Sequence, residues 1–210
     1  MVISRKKLNS TMRPACWVMA VVGGLHSAAA TVFAEPSVND MIRDLTGRDG
    51  RARCTARQML PRQSIEIVPK LVPLVAQEND LVWRPAFNVL ADFANEVSVP
   101  GREEDRKAVA SCLMTLISFA QTEAVRIRGL RLLPLVIPTG FDISPLVTLL
   151  DDPNLQEKAR AALQEMGTVE ARAALRSYLS KATPDFACAL LDSLGQLHDG
   201  SSIEAILEMV

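Results

Sequence analysis

Apolar residues recur along this chain at the spacing of an α-helix, and one pair of positions returns five times. In each copy, a small or apolar residue is followed four positions later by leucine. The five pairs are Ala56 with Leu60, Ala86 with Leu90, Gly129 with Leu133, Ala159 with Leu163, and Leu190 with Leu194. Successive copies lie 30, 43, 30 and 31 residues apart. A period of this length is typical of a repeat array rather than of one globular core.

The clearest copy of the repeat lies between residues 149 and 179. Asp152 followed by Pro153 predicts a helix N-cap and the first helical position, and Gly167 predicts the end of that helix. One helix face then carries an apolar stripe, made of Leu155, Ala159, Ala162, Leu163 and Met166. A second helix is predicted from about Val169 onward, so that one repeat is a pair of helices.

Neither helix of such a pair could bury its apolar face alone, and stacking the next pair against it solves this. The predicted fold class is therefore all-α: a right-handed α-solenoid (superhelix) of about five stacked antiparallel helix pairs, covering residues 35–210. The second helices of the pairs are expected to form a concave ridge. Their predicted positions are about 65–76, 106–120, 142–150, 169–180 and 202–210.

The repeats resemble those of the HEAT family, in particular the short HEAT-like repeats of the phycobilin (PBS) lyase type. Three segments carry the resemblance, at residues 149–167, 123–136 and 49–60. A Val-Arg pair often precedes the small position in that family. Val125-Arg126 matches this pair fully, Ala52-Arg53 matches it in part, and Arg84 is shifted by one position. The resemblance implies an armadillo-like helical fold and says little about activity.

The first 34 residues have the pattern of a secretory signal peptide. A basic segment precedes an apolar stretch at residues 16–25, and the small-residue segment 28–34 fits a cleavage site. The basic residues are Arg5, Lys6, Lys7 and Arg13. Either Met1 or Met12 could be the start. The predicted location is periplasmic or extracellular, and the alternative is an uncleaved helix that anchors the chain to a membrane.

The charge balance disfavours one class of partner. The chain has 23 Lys and Arg residues against 24 Asp and Glu residues. Removal of residues 1–34 takes away four basic residues, which leaves 19 against 24, a net charge of −5. A polyanion requires a surplus of positive charge on one face. We therefore expect no nucleic-acid partner.

Candidate catalytic and metal-binding residues are few. Cys54, Cys112 and Cys188 have no CxxC spacing or neighbouring histidine, so we expect small, partly buried thiols rather than a disulfide or a metal site. His198 falls in a predicted turn, which indicates a solvent-exposed residue. These patterns predict no enzyme activity, no cofactor and no metal.

Partner contacts are expected at three places. Trp83, followed by Arg84, is either a recognition anchor or a large core residue at a normal repeat position. The 43-residue step places an insertion near residues 96–107, either as a surface loop or as a longer helix pair. The remaining candidates for partner binding are Arg102, Glu103 and Glu104 in that insertion, and Arg172 and Arg176 on a second helix.

The sequence thus predicts an exported, non-catalytic repeat protein that acts as a scaffold or assembly module for protein partners. Two alternatives stay open. One is a chromophore-handling or lyase-like protein, which only the resemblance implies. The other is an accessory subunit of a larger envelope complex. The apolar residues at the C-terminal end of the array could also support self-association, and these are Ile203, Ile206, Leu207 and Val210.

Overall fold

The computed structural model describes residues 36–207, except the side chains of residues 204–206. This part of the chain is helical and contains no strand, which confirms the predicted all-α class. Its helices are α1 Val38–Leu45, α2 Gly50–Met59, α3 Val68–Val75, α4 Asp80–Val97, α5 Glu103–Met114, α6 Glu123–Leu132, α7 Ser144–Val147, α8 Gln156–Met166, α9 Val169–Tyr178, α10 Pro184–Gln196 and α11 Ser202–Leu207. The predicted signal peptide, residues 1–34, lies outside the described residues.

Short 3-10 turns extend several of the helices. They span Leu60–Arg62, Ile65–Ile67, Thr115–Ile117, Leu133–Leu135, Thr148–Asp151 and Leu179–Lys181. Each second helix lies where the sequence predicted it, although α7 has only four α-helical residues before its 3-10 turn. Within the described range, no helix is both long enough and apolar enough to cross a bilayer.

Short polar residues start several of these helices. The side chains of Asp49 and Asn79 accept hydrogen bonds from the backbone N–H groups two residues ahead, at 2.8 and 2.9 Å. Thr122 and Thr168 accept from the groups three residues ahead. These side chains satisfy backbone donors that have no partner within the helix. The capping residues therefore set the helix starts that divide the chain into successive pairs.

Helices pack in the order of the chain. We call α2, α4, α6, α8 and α10 the first helices, and α3, α5, α7, α9 and α11 the second helices. Each first helix contacts the first helix of the next pair. Second helices α3 and α5 also contact each other, as do α9 and α11, while α1 precedes the pairs and packs on α2. One hydrophobic cluster runs from Met41 in α1 to Leu194 in α10.

All ten residues of the repeated signature are buried in this cluster or directly against it. Ala86 and Leu90 of α4, for example, are both fully buried, so this copy of the signature faces the core as the sequence predicted. Gly129 shows why the first position is small in this copy of the signature. A Cβ atom at this position would lie 2.7 Å from Cγ2 of Ile117 and 2.9 Å from Cβ of Leu116. Helix α6 therefore approaches the turn that ends the preceding second helix more closely than any side chain would allow.

The predicted start of α8 is wrong. The helix begins at Gln156 rather than at Pro153, and residues 153–155 form a separate turn. Asp152 Oδ1 accepts a hydrogen bond from the backbone N–H of Asn154 at 3.0 Å, and Oδ2 lies 3.3 Å from Nη1 of Arg126 in α6. The extra turn places Leu155 in the core, where it is fully buried.

The insertion near residues 96–107 lies mainly in helix. Helix α4 has 18 residues and extends to Val97, while α5 begins at Glu103. The connecting segment, residues 98–102, is short, and Gly101 adopts a left-handed conformation with φ of 90°. Of the two alternatives, the structure therefore has the longer helix pair rather than a long surface loop.

Candidate functional site

Trp83 lies half-buried on the outer side of α4, so the alternative that made it a core residue is wrong. Two guanidinium groups flank its ring. The Cζ atom of Arg128 in α6 is 4.0 Å from the ring centroid, and that of Arg84 is 5.0 Å from it. The indole Nε1–H donates a hydrogen bond to Asp80 Oδ1 at 2.7 Å. Trp83 is therefore held by charged neighbours as well as by packing.

Phe87 and Arg131 extend this arrangement along the surface. The Phe87 ring meets the Trp83 ring edge to face, with centroids 6.2 Å apart. Arg131 of α6 lies over Phe87, with its Cζ atom 5.1 Å from the ring centroid. We call Trp83, Arg84, Phe87, Arg128 and Arg131 the arginine–aromatic cluster. It alternates cationic and aromatic groups across two adjacent first helices.

Charge within this cluster is partly balanced. Asp80 lies 2.9 Å from Nη2 of Arg84, and both side chains are more than half exposed. Hydrogen bonds from Arg84 and then from Trp83 hold the pKa of Asp80 below its ordinary value. Burial lowers the pKa of Arg128, which still remains a cation because arginine loses its proton only at strongly alkaline pH. The cluster is therefore charged at neutral pH, with more cations than carboxylates.

Open grooves separate neighbouring first helices on this side. A groove of about 310 Å³ lies between α4, α6 and α8, and we call it the α4–α8 groove. Phe87 and Arg131 line one side of it, and Lys158 and Glu165 line the other.

Two further grooves lie between α2 and α4. The first, which we call the α2–α4 groove, has a volume of about 330 Å³. Its lining consists of Leu45, Gly50, Arg53, Cys54, Arg57, Arg84, Pro85 and Asn88. The second, which we call the Asp92 groove, has a volume of about 820 Å³ and shares Cys54 and Arg57 with the first. Asp92, Glu96 and Arg62 also line this second groove.

The predicted partner residues of the insertion make local contacts. Arg102 Nε lies 2.9 Å from Asp105 Oδ2, and Nη1 donates to the carbonyl of Glu96 at 3.2 Å. Glu103 Oε1 accepts from the backbone N–H of Gly101 at 3.1 Å, a contact that holds the pKa of Glu103 below its ordinary value. Glu104 pairs with Lys107. These residues hold the start of α5.

The two candidates on α9 differ from each other. Arg176 is paired with Asp199, whose side chain is only 7% exposed, in the connection between α10 and α11. Arg172 is half-buried on the same helix. Neither lies in the grooves between the first helices. The structure thus brings Trp83 and Arg84 together, and leaves the other five candidates apart from them.

The cysteines and the histidine lie apart from one another. Cys54 and Cys188 are exposed, which corrects the expectation of partial burial, and Cys112 is partly buried against the core. Burial raises the pKa of the Cys112 thiol. His198 is exposed in a left-handed turn with φ of 50°, as predicted. Among residues 36–207, no three His, Cys, Asp or Glu side chains are grouped as a metal site.

Sequence reasoning missed the cations that complete this surface, namely Arg57, Arg128 and Arg131. A usable signal exists in the alignment of the repeats. Arg57 directly follows the small position Ala56, while Arg128 directly precedes the small position Gly129. Direct neighbours of the small position lie about 100° to either side of it on the helix, and the polar ones Arg57 and Arg128 reach the surface.

No family model matches the chain, and no curated protein matches it. Among solved structures, it is similar to an engineered protein in a crystal structure from the Northeast Structural Genomics Consortium. The two are 22% identical with a TM-score of 0.43, and the match covers 81% of this chain and 84% of that chain. The functional proposal therefore depends on the residues of this chain.

Proposed function

We propose that this protein is an exported, non-catalytic HEAT-like repeat protein that binds protein partners as a scaffold or assembly module. In this proposal, residues 36–207 form a right-handed α-solenoid whose side wall is the working surface. The chain-ordered contacts between first helices and the hydrophobic cluster that continues from α1 to α10 support the solenoid. Repeat arrays of this kind use extended surfaces, so affinity comes from contacts spread over several repeats.

One observation carries the proposal: the row of grooves along the first helices. The α2–α4 groove, the Asp92 groove and the α4–α8 groove are bordered by helices α2, α4, α6 and α8. The arginine–aromatic cluster lies among them. Arginine and aromatic residues are the types most enriched where interfaces concentrate their binding energy. The proposed surface therefore lies on the first helices, whereas the sequence favoured the second helices.

Photocrosslinking at single positions tests the location of the surface. A photoreactive residue replaces Asn88, which lines the α2–α4 groove, or Arg172, which lies on α9. The chain is expressed in its native host, and crosslinked proteins are identified by mass spectrometry. We expect one partner to crosslink from position 88 and not from position 172. Crosslinks from neither position, or robust hydrolase or lyase turnover by the purified chain, would count against a binding module.

Export and assembly are separate parts of the proposal. The pattern of residues 1–34 supports export to the periplasm or the outside of the cell. N-terminal sequencing of the mature protein is expected to start at Glu35, whereas retention of residues 1–34 in a membrane fraction would indicate an anchor.

The exposed side chains of Ile203 and Leu207 support self-association. Size-exclusion chromatography with light scattering would then show a dimer.

A further inference from the structure

The α2–α4 groove combines an apolar floor with a cationic rim. Leu45 lies buried beneath its base, half-buried Pro85 supplies apolar surface there, and Arg53, Arg57 and Arg84 surround it. Its volume of about 330 Å³ is at the lower end of the range for ligand pockets, which suits one or two side chains of a peptide.

We propose that the α2–α4 groove binds an acidic segment of the protein partner through carboxylates placed between Arg53, Arg57 and Arg84. This inference depends on the proposed function, because it names the chemistry of the partner at the same surface. The guanidinium group presents a planar fork of donors that matches a carboxylate with two parallel hydrogen bonds. An aliphatic side chain beside the carboxylates would cover the exposed part of Pro85.

The present partners of the three arginines leave their charges available. Arg53 Nη1 donates to the carbonyls of Gly47 and Arg48, at 2.8 and 3.1 Å, and these neutral groups do not cancel its charge. Arg57 Nε is 4.0 Å from Asp92 Oδ2, the limit of an ion pair. The pair of Arg84 with Asp80 is more than half exposed, and exposed pairs are weak. A partner carboxylate can therefore replace or join these contacts.

The neighbouring grooves lack this selectivity. Carboxylates line each of them: Asp92 and Glu96 in the Asp92 groove, and Glu165 in the α4–α8 groove. A groove of about 300 Å³ between α1 and α2 contains Asp44 and Asp49. Of these four grooves, the α2–α4 groove alone has a lining with cations and without carboxylates. The mature chain, with 19 Lys and Arg residues against 24 Asp and Glu residues and a net charge of −5, opposes a long polyanion, so attraction for an acidic segment is confined to this groove.

Binding of a model peptide to the full mature chain tests the proposal. The probe is a fluorescein-labelled peptide of alternating glutamate and leucine, and its match has glutamine in place of glutamate. Fluorescence anisotropy measures both in low salt. We expect the glutamate peptide to bind at least about tenfold more tightly, since charge-assisted hydrogen bonds are the stronger class. Equal binding of both peptides would overturn the proposal.

Charge reversal assigns the binding to the groove. The double variant Arg57→Glu with Arg84→Glu changes two side chains that are 54% and 62% exposed, so the fold should be kept, which circular dichroism checks. Arg172→Glu on α9 is the matched control. We expect at least about tenfold weaker binding in the double variant and no change in the control. The reverse pattern would overturn the proposal.

Cysteine footprinting gives a measurement that does not depend on any variant. Cys54 is exposed and lines the groove, while Cys188 is exposed on α10 and serves as an internal control. Saturating glutamate peptide should slow iodoacetamide labelling of Cys54 severalfold and leave Cys188 unchanged. Unchanged labelling of Cys54 would overturn the proposal. If the peptide leaves the labelling of Cys54 unchanged but position 88 still crosslinks a protein in the cell, the acidic-segment proposal fails and the scaffold function stands.

Discussion

The guanidinium group of Arg128 lies against the face of Trp83, with Cζ 4.0 Å from the ring centroid. Its Nη1 also donates to the carbonyls of Val75 and Gln77, both at 2.7 Å. Val75 is the last residue of α3 and Gln77 follows its C-cap, while the ring belongs to the first turn of α4. One side chain of α6 therefore ties together the end of one helix pair and the start of the next. The same side chain of Arg128 therefore holds the ring of Trp83 and joins neighbouring repeats.

Arg128→Ala should lower the free energy of unfolding by about 2 kcal/mol, because it removes charged hydrogen bonds and a cation–π contact. Arg131→Ala is the matched control, since Arg131 lies over Phe87 but is exposed. It should cost less than about 1 kcal/mol. Urea unfolding followed by circular dichroism measures both values. Equal losses in the two variants would show that the Arg128 contacts do not join the repeats.

Gly129→Ala tests the close approach behind the repeated signature. The added methyl group would lie 2.7 Å from Cγ2 of Ile117, and overpacking of this kind costs about 1–3 kcal/mol. The control is Gly195→Ala on α10, where nothing lies within 4 Å of the added methyl group. That change should stabilise the protein by up to about 1 kcal/mol, because alanine is the better helix former. Thermal unfolding of both variants measures the contrast, and stabilisation by both would contradict the packing shown at Gly129.

The signature residues were predictable because burial repeats with the helix period. Leu90, Leu133 and Leu163 must fill the same space in each pair, so their spacing is visible in the sequence. The start of α8 was not predictable in this way. Asp152 suits a helix start locally, but Arg126, 26 residues earlier, pairs with it, and Leu155 in the turn that follows is buried in the core. Tertiary contacts of this kind decide between local alternatives and leave no periodic signal.

The candidate site was only partly predictable, for a related reason. Trp83 and Arg84 are unusual residues at a repeat position, so the sequence points to them. Arg128 lies more than 40 positions later, and its contact with Trp83 depends on how α6 packs beside α4. Arg176 looked like a surface cation because its partner, Asp199, lies in the connection after the next helix. Composition shows the charges of a surface, while packing decides which of them remain available.

Arg176→Ala should destabilise the protein strongly. Asp199 is buried, and removal of Arg176 would leave its carboxylate without its cation, which costs about 3 kcal/mol for a buried pair. Arg172→Ala, one helical turn earlier on α9, is the control and should change stability by no more than about 0.5 kcal/mol. Chemical denaturation measures both. If Arg176→Ala kept full stability and reduced partner capture instead, Arg176 would be a binding residue as the sequence suggested.

Alkaline pH should weaken the contact between α9 and the 3-10 turn Thr148–Asp151, which extends α7. The Tyr178 hydroxyl lies 2.8 Å from both the carbonyl of Leu150 and Oδ1 of Asp151. Burial, followed by the hydrogen bond to Asp151 and its charge, raises the pKa of Tyr178 from 10.0 to about 12. The folded protein therefore holds this proton more tightly than the unfolded chain. The stabilisation is complete below pH 10 and is lost as the pH rises through about 12.

Tyr178 is the only tyrosine in the chain, so tyrosinate absorbance reports its ionisation directly. We expect the folded protein to titrate near pH 12 and the urea-unfolded chain near pH 10. Tyr178→Phe should lose about 1 kcal/mol at neutral pH, because the hydrogen bond is absent. The variant should also lack the decline in stability that Tyr178 causes between pH 10 and about 12, so the difference between the two proteins isolates the contribution of Tyr178. If Tyr178 of the folded protein ionised near pH 10, the contact with Asp151 would be contradicted. A phenol that water reaches freely ionises near that pH.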